Sequence, residues 1–353
     1  MNSTKIYFIC TDSKAPAGGV KQIYRQVDIL NKNGFDAQVV HRKKGFRHQW
    51  FKNNTKIIYN VSLFNEIKTL ILKEKTGTYK SIKNFLRSKS EDPIDENGIL
   101  VFPEIFGPDI NCIRPDMKKV IFNQNCFYTF DNSSSDSFEK GNIYTDKSFL
   151  GSIVVSENSE KYLNFVYPDT KVYRIKLGID KNLFSCESNS KEKTIAYMPR
   201  KRKEDITQII QILKARQKIK DWQFTEIDNK SEKEVSDILK KSTFFLSLNH
   251  KEGFGLPSAE AMAAGNIVIG FSGQGGEEYF KPEFSFEIKE GKIIEFVKTI
   301  ESIISEYNNT PSLFKEKAEK ASTFITSNYS MEKEEESILA AWQKILQNTN
   351  SIE

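Results

Sequence analysis

Glu252-Gly-Phe-Gly-Leu-Pro-Ser-Ala-Glu260, continued by Ala261-Met-Ala-Ala-Gly265, sets a glycine-rich loop directly against the start of a helix. Pro257 suits a first helical turn, where its missing N–H removes no bond. The residues from Ser258 to Ala264 are mostly good helix formers, and Gly265 stands where a helix stop is expected. Such a loop delivers unpaired backbone N–H groups and a positive helix end to one point, which favours an anion. Glu252 precedes the helix and Glu260 lies on it, so both carboxylates are expected to border one pocket. A phosphate cradle flanked by two carboxylates suits a ligand with a diphosphate and several hydroxyls. A nucleotide sugar is such a ligand.

Outward from this loop, strands and helices alternate. Residues 194–198, 222–227, 243–248 and 266–271 read as strands, while 207–216, 232–240, 257–264 and 293–307 read as helices. The first half has the same rhythm. Residues 5–11 (KIYFICT) form a strand, Gly18-Gly19 a turn, and residues 20–33 a helix with Val20, Ile23, Tyr24, Val27 and Leu30 on one face. Residues 37–41 complete a βαβ unit. Residues 99–103, 120–123 and 152–155 are further strands, and the Ser- and Asp-rich residues 131–139 read as a mobile loop. The pattern predicts an α/β chain of two Rossmann-like, doubly wound parallel-sheet domains facing across a cleft. Their expected bounds are residues 1–182 and 183–330, with residues 331–353 carrying a closing amphipathic helix.

Six landmarks in order carry a family likeness. They are Ala17-Gly18-Gly19-Val20, Ile153-Val-Val-Ser156-Glu157, Lys176-Leu-Gly178-Ile179-Asp180 with Phe184, Ala196-Tyr-Met-Pro-Arg200-Lys201, the Glu252–Glu260 loop, and Gly273-Gln-Gly275-Gly276-Glu277-Glu278. Together they resemble the retaining, family-four-like (group 1) glycosyltransferases with the GT-B fold, across nearly the whole chain. The resemblance implies transfer of a sugar from a nucleoside-diphosphate sugar to a glycan, lipid-linked or other glycoconjugate acceptor. It also implies that the last helix crosses back to the first domain.

Transfer of this kind builds negative charge on the departing diphosphate, so cations and backbone donors should point at it. Arg200 and Lys201 are expected to do so, with Glu252 facing the donor sugar near the reacting carbon. Glu260 would accept from the ribose hydroxyls, and the N–H groups of Phe254, Gly255 and Leu256 would grip the sugar or diphosphate. Gly18 and Gly19 would let the first domain's backbone approach the same donor. The family has a lysine five residues after its arginine, whereas this chain has Asp205, with Lys201, Arg202 and Lys203 as substitutes. His41, Asn123, Asn125 and Tyr128 are candidates for the acceptor side, and Glu104 is a weaker one. Two alternatives remain open: a sugar-nucleotide epimerase on the same fold, or a non-catalytic sugar-nucleotide-binding subunit.

Composition sets outer bounds. The 353 residues are 38% hydrophobic and 28% charged with a net charge of +5, which describes a globular chain and gives no strong nucleic-acid footprint. The four cysteines, Cys10, Cys112, Cys126 and Cys186, form no Cys-x-x-Cys pair. They read as reduced packing residues of a cytoplasmic protein without a signal peptide. No metal and no cofactor beyond the donor itself is expected, because no Asp-x-Asp stands near a phosphate loop and His250 with Glu252 offers too few ligands. The basic and aromatic residues 41–51 read as a solvated loop. Their alternative is contact with a lipid-linked phosphate or with the inner face of an anionic membrane, which would make the protein peripheral.

Overall fold

Short apolar runs buried on both faces become parallel strands, and the Ile-, Val- and Phe-rich segments of this chain do so in two separate sheets. A computed structural model describes residues 4–76, 93–133, 141–186 and 191–349. In the first unit, β1 (Lys5–Ile9) leads to α1 (Gly18–Lys32), β2 (Asp36–His41), β3 (Ile57–Tyr59) and α2 (Val61–Thr76). β4 (Ile99–Pro103), β5 (Lys118–Asn123), β6 (Phe149–Val154), α3 (Glu157–Val166) and β7 (Val172–Arg174) follow. The sheet order is β3-β2-β1-β4-β5-β6-β7, and every neighbouring pair is parallel. The order changes direction between β1 and β4, so their carboxyl ends flank a topological switch point, where ligands of such sheets bind.

The second unit runs β8 (Glu192–Tyr197), α4 (Lys203–Arg216), β9 (Gln223–Glu226), α5 (Glu232–Lys241), β10 (Ser242–Leu248), α6 (Leu256–Ala263), β11 (Ile267–Phe271) and β12 (Ser285–Glu287). α7 (Ile293–Asn309), α8 (Pro311–Asn328) and α9 (Met331–Thr349) end the chain's regular structure. Its parallel sheet has the order β12-β11-β10-β8-β9, with the switch point between β8 and β10. Ile195, Ile209, Phe244, Ile269, Phe296 and Ile300 form part of the core that helices press onto this sheet. In the first unit Tyr7, Val40, Leu100, Ile121 and Val154 do the same.

The units are not simple halves of the chain. The first gathers Met1–Val155, Ser159–Ile175 and Glu335–Glu353, and the second Ser156–Asn158 and Lys176–Glu334. From Glu335 onward α9 therefore belongs to the first unit. There Trp342 is fully buried with its ring 5.7 Å from Phe8, and Glu335 pairs with Lys32 at 2.9 Å.

Helix ends follow local chemistry. Ser231 accepts the Glu234 N–H through its hydroxyl, while the Glu234 carboxylate accepts the Ser231 N–H at 2.8 Å, a complete capping box on α5. Ser231→Ala should cost about 1 kcal/mol, read as a lower urea midpoint. An unchanged midpoint would show that the box contributes nothing.

Part of the loop expected at 131–139 lies outside the described residues. All four cysteines are free thiols; Cys10 and Cys126 are buried, but Cys112 is exposed, which corrects its reading as a packing residue. Among the described residues, no helix is long and apolar enough to cross a membrane.

Candidate functional site

At the second sheet's switch point, β8 runs out into residues 199–202 and β10 into residues 249–255, which enter α6. A buried polar network holds the second of these turns. Ser247 Oγ lies 2.8 Å from Ser258 Oγ and donates to the Phe271 carbonyl at 2.6 Å. Asn249 Nδ2 reaches Ser258 Oγ and the Ser272 carbonyl, both at 3.2 Å. Gly255 caps α6 at φ +86°, in the left-handed region. A Cβ there would stand 2.6 Å from Asn249 Nδ2 and 2.7 Å from Tyr279 Oη.

Tyr279, wholly buried, fixes the loop from below. Its hydroxyl is shared between the carbonyls of Phe254 at 3.0 Å and Gly255 at 2.7 Å. Burial, and next the Glu252 charge, raise its pKa well above the usual phenol value, so it stays a neutral donor. With these carbonyls held, the N–H groups of Phe254, Gly255 and Leu256 make no hydrogen bond among the described residues. They are the open donors of an uncapped helix start. The turn after β11 is stitched to the same loop: Glu252 N–H donates to the Gly273 carbonyl at 3.2 Å, and Gly275 N–H to the Glu252 carbonyl at 3.1 Å.

Charges meet at this point. Lys201 Nζ and Glu252 Oε1 are 2.7 Å apart, with 30% and 20% of their side chains exposed. Arg200 is exposed beside Lys201, and Glu260 is partly exposed on α6. Arg202 is already engaged. Its guanidinium pairs with Asp205 at 2.6 Å and with Glu290, bonds His250 Nδ1 at 2.8 Å, and lies 5.3 Å from the Phe271 ring centre. Asp205, which stands where the resembled family has a lysine, therefore serves to hold Arg202. His250 also touches Glu290 at 2.8 Å. Its pKa is lowered, first by burial and then by the charges of Arg202, Lys251 and Lys201. The expected residues Arg200, Lys201, Glu252, Phe254, Gly255, Leu256 and Glu260 thus all stand on segments leaving β8 and β10.

In the first unit, Gly18 and Gly19 open α1, whose N-cap Ala17 is extended and has no side-chain cap. A Cβ on Gly19 would meet Gln124 Oε1 at 2.8 Å, so glycine permits that close approach. Asn125 caps a short 3-10 turn by accepting the Phe127 N–H at 3.1 Å, and Tyr128 in that turn is partly exposed. Two acceptor-side expectations need correction. His41 has no exposed surface; its ring is held by Tyr24 Oη at 2.7 Å and Asp12 Oδ1 at 3.0 Å. Asn123 is equally buried and donates to Thr129 Oγ1 at 2.9 Å. Both end strands, but both side chains point into packing rather than to solvent.

The rings of Phe46, His48 and Phe51 gather around Tyr24 and His41, and Trp50 packs on Phe51. The aromatic half of the segment 41–51 is thus occupied in packing, while Arg42, Lys43 and Lys44 are exposed. Glu104, given little weight from sequence, stands just past β4 at the first sheet's switch point and is 4% exposed. Burial pushes its carboxyl up to about 8, against the opposing N–H groups of Gln124, Glu104 and Asn125. Tyr279 and Asp12 had no sequence signal, because their partners lie far away along the chain.

Two doubly wound units, one with an anion-ready loop and helix at its switch point, define the two-domain Rossmann-like class. Residues 207–321 match the family model described as glycosyl transferases group 1. A stretch of 96 residues is 34% identical to "Putative glycosyltransferase ORF330" of Acidianus filamentous virus 2, covering 24% of this chain and 29% of that relative. The whole fold is similar to sucrose-phosphate synthase from Thermosynechococcus elongatus, with a TM-score of 0.63 at 13% identity over 99% of this chain and all of that one. It is also similar to Anabaena HepE in complex with UDP and glucose, with a TM-score of 0.58 at 12% identity over 99% and 100% of the two chains. The second unit thus carries the group 1 glycosyltransferase signature, and the chain has the GT-B fold.

Proposed function

We propose that this chain is a retaining glycosyltransferase that moves a sugar from a nucleoside-diphosphate sugar to a glycan, lipid-linked or other glycoconjugate acceptor. One observation carries the reading: the Lys201–Glu252 pair stands where residues 254–256 present three unengaged N–H groups at the start of α6. On donor binding, Lys201 exchanges Glu252 for a phosphate oxygen. Arg200 and the N–H groups of Phe254, Gly255 and Leu256 share the diphosphate charge. Glu252, released from Lys201, accepts a hydroxyl of the donor sugar, and Glu260 accepts from the ribose.

As the anomeric C–O bond to phosphate breaks, the acceptor oxygen bonds the same face of that carbon. Its proton passes to the departing phosphate oxygen. Charge stabilisation then comes from the protein's own cations and N–H groups, so the donor site works without a metal. Tyr128, partly exposed, is the acceptor-side candidate of the first unit, while Asn125 is buried and holds the turn beside it. UDP is the first nucleotide to try, because HepE is described in complex with it.

The test is thermal stabilisation by UDP, GDP, ADP, CDP and dTDP, with release of the diphosphate from the matching nucleotide sugar. A ligand at 100 times its Kd should add about 2.7 kcal/mol of stability, and Glu260→Ala should weaken that gain. Stabilisation without turnover in any acceptor mixture would favour a non-catalytic binding subunit. No stabilisation by any of the five, together with no turnover, would sink the proposal.

A further inference from the structure

A group of ligating side chains in the first unit has no part in that chemistry. The parallel register of β1 with β2 pairs Ile9 with Val40, which puts Cys10 beside His41 as both strands end. The chain then leaves through residues 42–47 and returns His48 to the same spot. Cys10, His41 and His48 each bring one donor atom within 4.8 Å of the other two. All three are buried, with exposures of 0%, 0% and 2%. We propose that Cys10, His41 and His48 form a structural zinc site that staples the 42–51 loop to the first unit.

The donor set fits the ion. One thiol and two imidazoles are soft and borderline ligands that suit zinc and not magnesium or calcium. Asp12 accepts from His41 Nδ1 at 3.0 Å, which fixes the proton on that nitrogen and turns the Nε2 lone pair inward, where the Tyr24 hydroxyl donates to it at 2.7 Å and a metal would take the place of that proton. A carboxylate behind a histidine is the usual outer support of a zinc ligand. Asp12 is itself held by the N–H groups of Arg42 at 3.2 Å and Lys43 at 2.9 Å. Tyr24 Oη, 2.7 Å from His41 Nε2, is an oxygen at hand for the fourth position.

His48 supplies an independent observation. Its Nε2 is buried and makes no hydrogen bond of normal geometry, although the Thr11 backbone lies near the ring. A buried polar nitrogen in that state is costly unless something engages it. Zinc on Nε2 would move the ring proton to Nδ1 and open the 3.3 Å contact from Trp50 Nε1.

Charge also balances. A doubly positive ion, the Cys10 thiolate and the Asp12 carboxylate sum to zero, so burial behind Phe46 and Phe51 strands no net charge. Binding expels the Cys10 thiol proton to solvent, and no electron is transferred. The site escapes sequence reading because its ligands are 31 and 7 positions apart, with no short metal motif.

The experiment uses the full chain with Cys112→Ser and Cys186→Ser, which removes the two thiols that are not fully buried. After chelator treatment it is titrated with cobalt(II), and then with zinc(II). The expected result is one equivalent of cobalt with a thiolate-to-cobalt charge-transfer band and the intense visible bands of tetrahedral geometry. Zinc should displace it stoichiometrically and raise Tm. Cys10→Ser should abolish the charge-transfer band. His48→Gln should weaken zinc binding at least about 100-fold, since loss of even an outer partner costs about 10–100-fold. Absence of the thiolate band in the parent overturns the proposal without reference to any variant. Its undiminished persistence in Cys10→Ser overturns it equally.

Discussion

Between pH 5 and pH 8, Glu104→Gln should gain stability relative to the wild-type protein, by as much as about 4 kcal/mol at about 1.4 kcal/mol per pH unit. The folded-state carboxyl sits at about 8 against an ordinary 4.5, and burial is the cause. The folded state therefore holds a proton that the unfolded chain releases above about pH 4.5. Where the native state binds more protons, stability falls as pH rises, so wild type weakens steadily from about 4.5 to about 8 and is flat above. Glutamine cannot ionise and escapes that slope. Its amide donors lack partners where Glu104 Oε2 already has none, so a fixed cost of about 1–3 kcal/mol is expected at every pH. The measurement is the pair of urea midpoints at pH 5, 6.5 and 8. A constant offset between the two proteins, with no divergence, would show that Glu104 titrates normally.

The second large effect concerns a position without a side chain. A methyl group on Gly275 would lie 2.1 Å from the Gly253 carbonyl oxygen, 2.3 Å from its carbon and 2.7 Å from Phe254 N. All three are backbone atoms, so no rotamer change relieves the overlap. Gly275→Ala must push the turn off the donor loop, breaking the Gly275–Glu252 backbone bond and moving Phe254 and Glu252 together. Overpacking of this kind costs about 1–3 kcal/mol of stability. Displacing the proposed phosphate donors by about 1 Å should lower nucleotide-dependent turnover about 100-fold. Gly291→Ala is the matched control. Unlike Gly275, it has a left-handed φ of +81°, and nothing lies within 4 Å of its Cβ. It should cost about 1–2 kcal/mol from the backbone alone and leave turnover intact. Equal turnover in the two variants would mean that the stitching of the two loops does not matter to the site.

The strands that sequence patterning finds best are the central ones. β4 and β11 are continuous apolar runs, and β1, β8 and β10 carry apolar centres, because helices cover both faces of the sheet. β3, β7 and β12 are three-residue edge strands with partly exposed faces, and they carry too few residues to show a period. α8 also escaped, since Lys315, Lys317 and Lys320 interrupt its buried stripe of Phe314, Ala318, Ala321 and Ile325. The donor loop was legible because glycine, proline and small residues there each answer a local backbone need. Side-chain direction was not. His41 and Asn123 end their strands at the right edge of the sheet, yet alternation along a strand turns one side chain in two toward packing. Nor does local spacing show that Arg202 is held by Asp205, His250 and Glu290, of which two come from distant loops.

The first unit is assembled from both ends of the chain, and the second is a nearly continuous block. During synthesis Lys176–Glu334 can complete its sheet and helices as soon as α8 is free of the ribosome. The first unit must wait, with the groove over Phe8 unfilled, until α9 delivers Trp342. Completion of the two units is thus expected to run opposite to translation, the segment made first being finished last.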